Sequence, residues 1–338
     1  TPSEHFGVQL YSHTNADQTV TLDDASSLDM VWVKSRSQTQ NHRLIDIIRG
    51  KSLSPNATSS ESNDAGSYAF SGNTFTIDNN TGDANENSAT YVAWMWKANG
   101  SGSSNTNGTI NTTSTSANTD AGFSISTYTG NATSGATVGH GLSKAPEMIF
   151  IKPRSQNSGW FVYHSGNTSA PETEELNLEV TEATQDVANI WNDTAPTSTV
   201  FSLGNNAGVN GNTYTFVAYC FHSVEGFSKV GSYTGNGNAD GTFIYTGFRP
   251  AFIIQKPASR TGHWMMTDKE RTPSNVVNKV IFANASSPEY TNPTAAVQID
   301  FLSNGFKQRL TDDNSNENNA TYIYLAFAET PFKHANAR

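Results

Sequence analysis

An all-β fold of three tandem, related antiparallel β-sandwiches, of the jelly-roll or lectin-like kind, is predicted by three observations. First, a strand-like apolar run ending in lysine occurs three times, at Met30–Lys34 (MVWVK), Met148–Lys152 (MIFIK) and Phe252–Lys256 (FIIQK). The lysines are 118 (152 − 34) and 104 (256 − 152) residues apart, a domain-sized spacing, whereas solenoid units run about 20 to 45 residues. Second, 15% of residues are charged and mean hydropathy is −0.51, so polarity comes mainly from Asn, Thr, Ser and Gly, which favour turns over helices. Third, short β-branched and aromatic runs alternate with Gly- and Asn-rich stretches along the whole chain.

Residues 1–98 make the first unit. Val8–Tyr11 is a short strand, and the lysine run follows after a polar excursion. Leu44 to Gly50 is read as a strand. Tyr68-Ala69-Phe70 and Thr74 to Ile77 form a hairpin around Ser71-Gly72-Asn73. Thr90 to Trp96 closes the unit; its apolar residues fall on both parities, as in a strand covered on both faces. Residues 99–121 hold almost no apolar side chain and read as a flexible polar linker, which predicts that the first unit moves relative to the other two.

Residues 122–225 make the second unit. It opens at Phe123 to Gly130, passes through its lysine run to Trp160-Phe161-Val162-Tyr163-His164, and alternates at strand period through Leu176, Leu178 and Val180. The third unit, residues 226–334, follows without a linker, since Ser232-Tyr233-Thr234-Gly235-Asn236 restates Thr127 to Asn131; residues 335–338 form a tail. Tyr91, Tyr214 and Tyr322 are taken as equivalents in the closing strands, 57, 62 and 66 residues after their lysines. A propeller is disfavoured because each unit is twice or more the length of a blade.

Charge and cysteine usage narrow the function classes. A net charge of −10 and a pI near 5.2 give no basic footprint for a phosphate backbone, so nucleic acid is not an expected partner. No run of 18 apolar residues is present, and no membrane span is expected. Cys220, the single cysteine, lies in an apolar run and is read as a buried, inert thiol.

With the units aligned, a resemblance emerges. Pro2 to Phe6, Ser232–Gly237 (SYTGNG), Tyr245–Lys256 (YTGFRPAFIIQK), Ile299–Lys307 (IDFLSNGFK) and Ala320–Lys333 (ATYIYLAFAETPFK) resemble a repeat family of virion-associated proteins in tailed marine bacteriophages, cyanophages included. The likeness is weaker in the first unit, where Ser12-His13 replaces Thr-Gly. It implies a structural or adhesive role at the particle surface and supplies no catalytic motif.

Lys34, Lys152 and Lys256 are the most regular charges, and Asp46 with Arg49 and Asp268 with Arg271 lie downstream of two of them. A Lys-to-Asp-to-Arg ion cluster tying adjacent strands is the expected structural use; the second unit has His164 and Asn167 at the acid and arginine positions. Trp160 and Trp264 are equivalent, with His42 in the first unit, and serve either packing between units or stacking on sugar rings. Asp312-Asp313-Asn314 and Asp78-Asn79-Asn80 are weak calcium candidates; zinc has no ligand pair, and no cofactor is expected. Nucleophile-elbow, phosphate-loop and metalloprotease motifs are missing from the sequence, leaving Glu147, Glu172, Glu174 and Glu175 as the acids from which a depolymerase site would be built. The expectation is therefore a non-enzymatic tail-fibre or receptor-binding protein at the extracellular virion surface, working as a homo-oligomer, preferentially a trimer, with other virion proteins and host glycan as partners. Capsid decoration and polysaccharide binding or depolymerisation are the alternatives.

Overall fold

The computed structural model describes residues 1–23, 25–79, 81–290 and 298–329. Strands dominate, and all strand pairing within the sheets is antiparallel. One spatial order recurs three times: opening strand, closing strand, lysine strand, then one or more flanking strands. In the first unit these are Phe6–Ser12, Thr90–Trp96, Met30–Ser35, Arg43–Asp46 and Ser52–Leu53. In the third they are Ser228–Thr234, Thr321–Ala328, Pro250–Pro257, Met265–Asp268 and Ile281–Phe282. The second unit runs Phe123–Thr129, Thr215–Phe221, Met148–Pro153, Phe161–His164, Glu174–Asn177 and Gln185–Asp186.

Register makes the equivalence residue by residue. Lys34 pairs with Val92, Lys152 with Val217 and Lys256 with Ile323. This puts Phe216, not Tyr214, in the place of Tyr91 and Tyr322; Tyr214 precedes its strand, because the turn before the closing strand differs in length.

Each main sheet is faced by a smaller one. The first unit uses Gln18–Thr21, Thr74–Ile77 and Tyr68–Ser71, the last two joined through the expected hairpin. The second uses Ala136–Gly139 with Val200–Leu203. The third uses Phe243–Tyr245, Gly305–Gln308 and Ile299–Leu302. Leu44 to Gly50 divides into the strand Arg43–Asp46 and a turn.

The double-sided burial of the lysine strands follows from their alternation. Val31 and Val33 face the first unit's own small sheet with Val20, Phe75 and Ile77, whereas Met30 and Trp32 point the other way. Ile149 and Ile151 likewise face inward in the second unit, and Met148 and Phe150 outward. The outward faces meet one another: Trp32, Trp94, Phe150, Tyr219, Phe252 and Leu325 belong to one central cluster drawn from all three main sheets. The sandwiches thus enclose a common core about a pseudo-threefold axis instead of following one another in series.

The flexible-linker expectation for 99–121 is corrected. Ser114–Asn118 is a strand paired with Phe123–Thr127, making the second sheet seven-stranded. Ser103 and Thr115 exchange backbone bonds of 3.1 and 2.7 Å, the Ser116 hydroxyl accepts from the Asn99 N–H at 2.7 Å, and the Ile110 N–H donates to Thr137 O at 2.9 Å. Gly102, at φ +68°, passes so close to this strand that a Cβ would lie 2.3 Å from the Thr115 oxygen. Serine and threonine hydroxyls and backbone pairing order a segment with little apolar surface. Among the described residues, no helix is long and apolar enough to cross a membrane.

Candidate functional site

The recurrent polar residues line three seams between the units. At the second-to-first seam, Lys152 Nζ donates to Thr58 O at 3.2 Å and to Ser158 O at 2.7 Å. The Ser158 N–H reaches the same Thr58 oxygen at 2.8 Å, Trp160 Nε1 donates to Ser54 O at 3.0 Å, and the Glu61 N–H donates to Arg154 O at 2.9 Å. The third-to-second seam repeats this with Lys256 Nζ to Thr181 O at 3.2 Å, Gly262 N–H to Thr181 O, Trp264 Nε1 to Asn177 O at 2.9 Å and Thr184 N–H to Ala258 O. At the first-to-third seam, the Gln40 N–H donates to Ser286 O and the Glu289 N–H to Arg36 O, both at 2.9 Å. His42 holds the tryptophan position: its Nδ1 accepts from Trp32 Nε1 at 2.9 Å, leaving Nε2–H to donate to Phe282 O or Ala285 O. Lys34 differs, turning back to Ser35 O at 2.8 Å.

A second set of contacts runs the other way round the axis. Asp46 of the first unit accepts from Tyr219 of the second at 2.7 Å and from Arg49 Nε at 2.6 Å. Asp268 of the third accepts from Trp94 of the first at 3.1 Å and from Arg271 Nε at 2.6 Å, with the Arg271 guanidinium 5.5 Å from the Trp94 ring centre. His164 of the second, whose Nδ1 accepts from the Gly166 N–H, directs Nε2–H at Tyr324 O of the third at 3.2 Å.

The expected Lys-to-Asp-to-Arg cluster does not form. Register pairs Met30, not Lys34, with Asp46, which sets the aspartate at the far end of the strand. Asp46–Arg49 and Asp268–Arg271 are fully buried ion pairs that do not include the lysines, whose ammonium groups meet carbonyl oxygens. Burial of these ammoniums pulls Lys34 and Lys152 down to about 8, against opposing pulls from Asp83 and Glu179, and burial alone brings Lys256 to about 7. Burial also lowers His42 to about 3 and His164 to about 4, so both are neutral donors.

Trp160 and Trp264 are buried and offer no face to a sugar. Of the acidic candidates, Glu175 is pushed up to about 7 by burial and then by Glu179 and Glu182, so it can hold a proton near neutrality. Glu147 is tied to the Ser223 N–H and Glu174 to the Thr168 hydroxyl. Asp312 accepts from the Asn314 N–H at 2.9 Å and Asp313 pairs with Arg260 at 3.0 Å. Asn80 lies outside the described residues. Burial pushes the Cys220 thiol up and leaves it inert.

Sequence reading missed the acceptor side of the seams. Its signal was a three-residue pattern after each lysine strand: Thr58 with Glu61, Thr181 with Thr184 and Ser286 with Glu289. Glu61 accepts from Arg154 across the seam and from Arg49 within its unit; Glu289 does the same with Arg36 and, at 3.5 Å, Arg271. Burial tends to raise the Glu61 carboxyl, and the two guanidiniums hold it below the usual range.

A family model described as a domain of unknown function, DUF7483, matches residues 1–331, which takes in all three main sheets. The chain belongs to the DUF7483 family. No curated protein and no solved structure matches it. The matched span includes residues on both sides of every seam.

Proposed function

We propose that this chain is a non-enzymatic structural protein of a phage virion, carried on the tail fibre or receptor-binding apparatus and present in several copies, with a trimer as the favoured assembly. One observation carries the structural part: among the most regular polar side chains of the sequence, Lys152, Lys256, Trp160, Trp264 and His42 are buried in seams that close the chain on itself, and Lys34 is buried against its own unit. Chemistry on a substrate needs reactive groups that meet solvent, whereas a part that transmits load or displays a surface needs its units locked. The resemblance of SYTGNG, YTGFRPAFIIQK and the closing segment to marine phage repeats supplies the virion setting. Several copies per particle fit this reading because linked weak sites raise avidity by roughly 10²–10⁴-fold.

Gold-labelled antibody raised against the chain, applied to intact particles, tests the proposal. Labelling of tail or fibre is expected. Labelling of the head alone overturns the tail assignment, and absence from particles overturns the virion setting.

A further inference from the structure

We propose that the outer face of the third unit's small sheet, centred on Phe243 and Tyr245, is a binding platform for a neutral glycan; the proposal deepens the virion-surface reading and rests on it for its biological setting. Phe243 is 43% and Tyr245 66% exposed, although both belong to a regular strand whose central residue, Ile244, is buried in the third unit's core. Two residues apart on one strand, they project to the same side about 6.5–7 Å from each other.

Their neighbours on that face are fixed by register. Phe243 stands opposite Lys307, which stands opposite Asp300; Tyr245 stands opposite Gly305, which stands opposite Leu302. Gly305 is closely packed from this side: a Cβ there would lie 2.1 Å from Ile244 O and 3.1 Å from the Phe243 ring, so the Phe243 ring rests against the bare backbone of Gly305. Lys307 pairs with Asp240 at 2.7 Å, and Arg309 with Asp300 at 3.4 Å. Two aromatic faces therefore lie beside a network of donors and acceptors whose charges cancel.

The molecule contains its own control. Val20 pairs with Phe75, Val138 with Phe201 and Ile244 with Phe306, which aligns the three small sheets. The positions of Phe243 and Tyr245 are then Thr19 and Thr21 in the first unit and Thr137 and Gly139 in the second. The same sandwich folds twice with small residues at these places, so folding does not require the aromatics.

The chemistry selects the occupant. A pyranose presents a face of C–H groups, slightly positive, to the negative face of an aromatic ring, and its rim of hydroxyls needs both donors and acceptors alongside. An ionic partner finds no net charge here to follow. Edge pairing with a second copy is disfavoured by a strand of only three residues flanked by the exposed Asp240.

The test compares the whole chain with the double variant Phe243→Thr, Tyr245→Thr, using neutral β-glucan, α-mannan and β-galactan hexasaccharides at millimolar concentration in saturation-transfer NMR. Saturation of ring C–H protons of at least one sugar, with affinity falling roughly tenfold or more in the variant at unchanged Tm, is the expected result. Failure of the wild type to bind any of the three, or equal binding by both proteins, overturns the platform. Self-association of the wild type that the variant abolishes, without sugar binding, reassigns the face to a second copy and also overturns it. These outcomes are independent of particle labelling: a labelled fibre without sugar binding defeats only the platform, and sugar binding by a chain absent from particles defeats only the virion setting.

Discussion

Thr184 donates its hydroxyl to the Asn167 side-chain oxygen at 2.5 Å, and this neutral pair occupies the place where Glu61 meets Arg49 and Glu289 meets Arg271. The third-to-second seam thereby lacks an arginine–glutamate pair, with Ala258 where the other seams have Arg154 and Arg36. Glu61→Ala strands the fully buried Arg49 with one acidic partner fewer and should cost roughly 3–5 kcal/mol in denaturant melts. Thr184→Ala removes one neutral bond and should cost about 1 kcal/mol. Equal losses would show that the seams with an arginine–glutamate pair are no stronger than the one without.

Stability should rise with pH above neutrality. In the folded chain Lys256 loses its proton near 7, and Lys34 and Lys152 near 8, against an ordinary value of 10.5. Between those values the unfolded chain binds more protons than the folded one, so unfolding becomes harder as pH increases through that window. Buried phenols such as Tyr219, raised by burial, turn the trend over once the unfolded tyrosines ionise near pH 10. Chemical denaturation from pH 7 to 9 should show a rising midpoint, and Lys256→Met should flatten the part of the rise nearest pH 7. A midpoint falling over this range would contradict the burial of unpaired ammoniums.

Amide hydrogen exchange separates the ordered segment from a tether. Ser114 to Asn118 should be protected to the degree of Phe123 to Thr127, since the two strands share a ladder. Exchange at the rate of an unstructured peptide would restore the linker reading.

The first unit should not fold alone. Isolating residues 1–98 uncovers Phe6, Met30, Trp32, Trp94 and Trp96, which belong to the common core. At about 1.5–3 kcal/mol per large apolar side chain, the loss is on the order of 10 kcal/mol, comparable to the whole stability of an ordinary domain. A fragment that is monomeric, cooperative in its melting and free of dye-binding apolar surface would disprove the shared core.

The strands were legible because alternation reports which side chains are buried: Met30 to Val33 and Thr90 to Trp96 carried apolar residues on both parities. Alternation does not say what covers each face, so the meeting of the three main sheets stayed hidden. The order of 99–121 was invisible for a different reason, since it rests on backbone pairing and hydroxyl bonds that composition does not record. Lys34 and Asp46 were joined in the expectation because they are neighbours in sequence pattern; strand register, which sequence does not fix, puts them at opposite ends of a ladder. Trp160 and Trp264 each donate across a seam, yet their partners, Ser54 O and Asn177 O, are backbone atoms that any residue would supply and that sequence pattern does not mark.

Because the pseudo-threefold ring is closed within a single polypeptide, its three parts are free to differ. In a homotrimer of one-unit chains every mutation appears three times, and a change that harms packing at one seam harms all of them. Here His42 can stand in for tryptophan, and Thr184 for glutamate, at one seam while the others keep their own residues. Covalent fusion turns a symmetric scaffold into one whose faces can specialise independently, with two thirds of the ring preserving the fold while the remaining third acquires a new surface.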